Sequence, residues 1–134
     1  MTRNLSAATL VGRSVSATTV ALIAAMVQMP LAHATDTVTY EVVSDSISLM
    51  NVEYVDQTGR KLLRDVPLPW RLDIPLDNAD GPTGRGAQVR ADWRPTAGSG
   101  RWVVVSIYSD GKLLCKSAID VGNATCYGNT PYIN

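Results

Sequence analysis

Beyond its first 34 residues this chain is predicted to be all-β, a sandwich or barrel of about seven strands. Three observations carry the prediction. Gly, Pro, Asn and Asp interrupt the sequence at short intervals, the segments between them alternate apolar and polar residues with a period of two, and no helical periodicity of useful length is present.

Val38 to Val43 alternates as Val38, Tyr40, Val42 against Thr39, Glu41, Val43 and reads as the first strand. Ile47 to Val55 reads as the second, with a change of phase near Leu49-Met50 that predicts a β-bulge. After a turn at Asp56-Gln57-Thr58-Gly59, Lys61 to Val66 forms a short strand that stops at Pro67-Leu68-Pro69, where two prolines forbid a central strand. Trp70, Leu72 and Ile74 then alternate with Arg71 and Asp73 as a half-buried strand, and 77–86 is a glycine-rich loop.

From Ala87 to Arg94 the alternation is clean: Ala87, Val89, Ala91 and Trp93 point in, while Gln88, Arg90, Asp92 and Arg94 point out. Arg101 to Ser109 is apolar on both phases, which predicts a central strand. Asp110-Gly111 fits a type I′ hairpin turn, because both central residues of such a turn need positive φ. Lys112 to Asp120 is therefore the return strand, and a two-residue loop sets Tyr108 opposite Leu113 and Ser106 opposite Cys115. In that register Cys115 shares the face of Trp102, Val104 and Tyr108. Trp70 and Trp93 fall on inward phases, and the face of Trp102 stays open.

Residues 1–34 read as an export signal: Arg3 and Arg13, an apolar stretch from Val15 to Met29, a break at Pro30, and the small-x-small site Ala32-His33-Ala34 before Thr35. The competing reading is a retained anchor, which would associate the domain at 35–134 with a membrane. No cysteine follows the site, so lipoprotein anchoring is not indicated. The leader holds two of the twelve basic side chains and no acid, leaving ten against twelve beyond it and no case for a nucleic-acid partner. His33 is the single histidine of the chain. The exported part thus lacks the imidazole of Ser-His-Asp or Cys-His catalysis and of His-ligated metal, so a non-enzymatic protein without metal or cofactor is expected.

Cys115 and Cys126 are the only cysteines, and an oxidising compartment favours joining them. In the chain-entropy view such a bridge contributes roughly 3 kcal/mol. Asp77-Asn78-Ala79-Asp80-Gly81 has oxygen ligands but neither the downstream acid nor the helices of an EF-hand, and reads as an Asx-rich turn. Arg85, Arg90, Arg94 and Arg101 form a cluster in sequence, of which Arg90 and Arg94 share a phase and are candidates for an anionic partner. Asn123-Ala124-Thr125 matches a glycosylation sequon.

Taken in order, Val38-Thr39-Tyr40-Glu41-Val42, Asn51-Val52-Glu53-Tyr54-Val55-Asp56, Val66-Pro67-Leu68-Pro69-Trp70, the Asp110-Gly111 hairpin and Cys126 resemble the soluble domain of the mycobacterial membrane protein small family, MmpS. The resemblance spans most of residues 38–126. It implies an immunoglobulin-like β-sandwich outside the cytoplasmic membrane that assists an MmpL-type transporter in exporting siderophores or lipids, with the transporter or an apolar cargo as partner. This sequence departs from the family in two ways. The leader has a cleavage site where the family keeps an anchor, and the family's first cysteine aligns with Val105 whereas here it is Cys115, on the strand after the hairpin. The other reading is a free secreted interaction or structural protein with no transporter.

An apolar residue set on both phases of one strand needs a cover on its outer face as well as its inner one. Two covers are available: the C-terminal segment 121–134, which carries Tyr127, Pro131, Tyr132 and Ile133, or a partner surface laid on Trp102, Val104, Tyr108 and Leu113. Hairpin and tail together are expected to form the docking surface.

Overall fold

The computed structural model describes residues 35–130, together with Gly12. Gly12 apart, the leader lies outside the described residues, as do its cleavage site and Pro131, Tyr132 and Ile133. Among the described residues no helix is long and apolar enough to cross a membrane.

Among the described residues eight strands form, not about seven: β1 (Asp36–Val43), β2 (Leu49–Asp56), β3 (Gly59–Pro67), β4 (Trp70–Leu76), β5 (Gln88–Asp92), β6 (Val103–Ser109), β7 (Lys112–Ile119) and β8 (Asn123–Tyr127). A single 3-10 turn at Arg94–Thr96 follows β5. The strands build two antiparallel sheets of order β4-β1-β6-β7 and β3-β2-β5-β8, packed face to face as an immunoglobulin-like β-sandwich. Only the β2–β3 and β6–β7 connections are hairpins within one sheet. Every other connection crosses from one sheet to the other.

Local chemistry sets these reversals. Asp110 and Gly111 have φ of 48° and 79°, the pair of positive values that a type I′ turn requires. Pro67-Leu68-Pro69 ends β3 and turns the chain toward β4, with a cis Leu68–Pro69 peptide. Pro75 is tolerated inside β4 because β4 is an edge strand. The bulge expected near Leu49-Met50 is instead on the partner strand: Asn51 of β2 faces both Arg64 and Asp65 of β3, and Asp65, at φ 51°, donates its N–H to the Asn51 side chain at 3.2 Å, while Leu49 is exposed.

Along β5, β7 and β8 the inward residues are small at Ala91, Ala124, Cys115 and Cys126 and larger at Val89 and Ile119, with the buried Trp93 just beyond β5. Along β1, β2 and β4 they are large, and Tyr40, Tyr54 and Trp70 step across the interior with ring centroids 5.8 and 5.9 Å apart. The Tyr40 side chain is fully buried. Its hydroxyl donates to the Val55 carbonyl at 2.7 Å and accepts the Gln88 N–H at 3.2 Å, linking β1 of one sheet to β2 and β5 of the other. Burial pushes its phenol up to about 12 from an ordinary 10.0.

The inward set expected for β5, namely Ala87, Val89, Ala91 and Trp93, is buried throughout. Cys115 differs from its expected face. A register shift between Ile107 and Tyr108 keeps Tyr108 opposite Leu113 but brings Cys115 opposite Ile107, so one extra residue in β7 turns the cysteine to the core. There it bonds to Cys126 of β8 with the Cα atoms 5.7 Å apart. The bridge joins the last strands of the two sheets, not neighbouring strands of one sheet.

Candidate functional site

β6 is central in its sheet, flanked by β1 and β7. Val103, Val105 and Ile107 are fully buried in the core. Val104, Ser106 and Tyr108 lie on the outer phase, where Ser106 is nonetheless buried; cross-strand pairing sets Val43 and Ala118 beside Val104, and the buried Thr39 and half-buried Leu113 beside Tyr108. Trp102 continues this phase just before the strand and is 53% exposed. The structure thus brings the four predicted contact residues, Trp102, Val104, Tyr108 and Leu113, to one outer face.

Of the expected tail cover only 121–130 is described, Pro131, Tyr132 and Ile133 lying outside the described residues. Asn123–Tyr127 is β8, paired with β5 in the opposite sheet, and no described residue beyond it returns to β6. Local pattern could not show this, because a tail that packs over a strand and a tail that adds to the far sheet both bury alternate residues.

The open face has three zones. At one end lie Trp102, Val104, Val43 and Ala118, with Val121, 66% exposed, on the turn after β7. Across the middle runs a polar belt in which Arg71 contacts Glu41 at 3.5 Å and Asp73 at 3.6 Å, and Asp73 accepts the Thr39 hydroxyl at 2.5 Å. At the hairpin end are Tyr108 and Leu113. The apolar end is mounted on a fixed backbone: Ser44 Oγ donates to the Trp102 carbonyl at 2.6 Å and accepts the N–H groups of Ser46 and Ile47, while Arg101 Nη2 donates to the Ser46 carbonyl at 2.7 Å. An exposed indole on a held main chain loses little freedom when a partner covers it.

The four arginines do not assemble. Arg101 reaches Ser46 at one end of the sandwich, and Arg85 lines a hollow with Asp56 and Asp77 at the other. Arg90 and Arg94 do share a surface, on the outer face of the β3-β2-β5-β8 sheet, opposite the Trp102 face. Arg94 is committed to Asp92, its Nε and Nη2 donating to the two carboxylate oxygens at 3.0 and 2.6 Å. Those bonds hold the Asp92 carboxyl below the usual carboxylate range.

Among the described residues no group of His, Cys, Asp or Glu is placed to hold a metal ion. Asp77–Gly81 folds as the expected turn, with Asn78 at φ 58° and the Gly81 N–H donating to its carbonyl at 2.8 Å. Asn123 and Thr125 lie on β8 across from Asp92 and Arg90.

Fold and surface define a small disulfide-bonded β-sandwich in which, among the described residues, one sheet face carries an exposed Trp102 with half-buried Val104, Tyr108 and Leu113. No protein-family model matches the chain, and no curated protein matches it.

Proposed function

We propose that this is an exported, non-enzymatic binding module that docks through the outer face of β6 and β7 on the extracytoplasmic part of a membrane transporter, in the manner of the MmpS proteins it resembles. The open face of a central strand carries the reading: Trp102 stands 53% exposed above Val104, with Tyr108 and Leu113 at the far end. Indole and phenol rings on a rigid sheet are the side chains that dominate protein–protein binding energy. The position of the cysteines adds support. The family's first cysteine aligns with Val105, and Val105 lies against Cys126, its carbonyl 3.6 Å from Cys126 Sγ. Moving that partner from β6 to the core-facing position of neighbouring β7 leaves Cys126 bridged across the same interior.

The test is a Trp102→Ala/Tyr108→Ala double variant expressed in the native host and crosslinked before extraction. A large polytopic transporter, identified by mass spectrometry, should co-purify with the wild type and be lost from a double variant that still folds. Equal recovery of that transporter by the folded variant would refute the docking face. Recovery of the wild type only from culture filtrate, with no transporter, would establish the free secreted module instead.

A further inference from the structure

The second face of the sandwich holds a groove of about 270 Å³ lined by Asn51, Glu53, Leu62, Arg90, Asp92 and Arg94. Its floor is β2, which contributes Asn51 and Glu53. One wall is Leu62 of β3, 51% exposed, and the other is Arg90 and Asp92 of β5 with Arg94 beyond them.

Charge in this groove is not evenly satisfied. Glu53 is held by Arg60 at 3.2 Å, and Asp92 is held by the fork of Arg94. Arg90 sits half-buried opposite Glu53, and among the described residues no carboxylate lies within ion-pair distance of it. An incoming cation would have to displace an arginine from one of the two acids. An incoming anion meets a half-buried guanidinium that makes no direct ion pair, its charge acting on Asp92 only at longer range. Leu62 adds a patch of exposed apolar surface across the floor from that charge.

We propose that the groove binds a small amphiphilic carboxylate, with the carboxylate on Arg90 and the alkyl arm against Leu62. A planar guanidinium takes a carboxylate through two parallel N–H bonds, which gives orientation as well as affinity. The groove lies on the face opposite Trp102, so failure of the transporter reading and failure of this one are separately visible.

The experiment follows backbone amide shifts of the protein, purified as the cell exports it, during titration with sodium hexanoate at constant ionic strength. Shifts should concentrate at Asn51, Leu62, Arg90 and Arg94 and saturate. Hexylammonium should leave them unmoved, and hexanol should bind about tenfold more weakly, the loss expected when a charge-assisted contact is removed. Arg90→Gln should weaken hexanoate binding by at least about tenfold with an unchanged melting temperature, and Leu62→Ser should weaken hexanoate but not acetate. Equal binding of hexanol, a folded Arg90→Gln variant that binds as the wild type, or shifts confined to another surface would each overturn the proposal. Saturable binding of inorganic phosphate without hexanoate binding would also overturn it, in favour of a phosphate site.

Discussion

Replacing Tyr40 by Phe deletes one oxygen from the middle of the sandwich, and its cost should depend on pH in a calculable way. The hydroxyl satisfies the Val55 carbonyl and the Gln88 N–H, both in the opposite sheet. Without it those two backbone groups lose a partner in a dry interior, which at neutral pH costs on the order of 2 kcal/mol. The phenol itself is pushed up to about 12 in the fold, against 10.0 for the free group. A raised acid pKa means that the folded state holds its proton while the unfolded state has begun to lose it. Stability from Tyr40 is therefore complete below pH 10 and falls by about 1.4 kcal/mol per pH unit between 10 and 12. Chemical denaturation of wild type and Tyr40→Phe at pH 7, 9, 10.5 and 11.5 measures this directly. Lysine ionisation is common to both proteins and cancels in the difference. The gap should be near 2 kcal/mol at pH 7 and 9, then close toward zero by pH 12. A gap that stays constant through pH 11.5, or a variant as stable as the wild type at pH 7, would show that the hydroxyl does not bridge the sheets.

Cys126→Ser should lower stability by roughly 3 kcal/mol in denaturant titration, and thiol titration of the native, non-reduced wild type should find no free sulfhydryl. Gly128→Ala should cost on the order of 1–3 kcal/mol in melting experiments, because a Cβ at that position would collide with the Ala79 carbonyl oxygen. Mass spectrometry of the exported protein should find Thr35 at its N-terminus, and an intact leader on membrane-extracted protein would refute cleavage after Ala34.

Much of the fold is legible wherever a residue's chemistry acts locally. Asp110-Gly111 dictates its turn, Pro67 and Pro69 end a strand, and the period of two from Ala87 to Trp93 assigns the buried apolar side, although Gln88 of the expected outward set is buried as well. β8 is hard to recognise because its inward residues are only Ala124 and Cys126, too small to give an apolar signal, and Asn123-Ala124-Thr125 attracts a sequon reading instead. The face of Cys115 is lost to a single bulge, since one added residue in a strand inverts every side chain after it.

The candidate surfaces show a parallel division. The shared face of Trp102, Val104, Tyr108 and Leu113 follows from strand phase and the hairpin. The scattering of Arg85, Arg90, Arg94 and Arg101 does not, because it depends on where the chain crosses between sheets. Crossings are decided by the packing of the whole sandwich and leave no trace in spacing.

The first and last strands, β1 and β8, have a further consequence through Ala79. Asp36, where β1 begins, shares a hollow with Ala79, and Gly128, just past β8, packs on the same residue. The polypeptide therefore enters and leaves at one pole, and Trp102 stands at the other, roughly 25 Å away along strands of eight residues. Tags, linkers or a surface tether can be attached at residue 35 or after residue 130 with the indole pole pointing away from the attachment, which suits the protein to immobilised binding assays in either orientation of the chain.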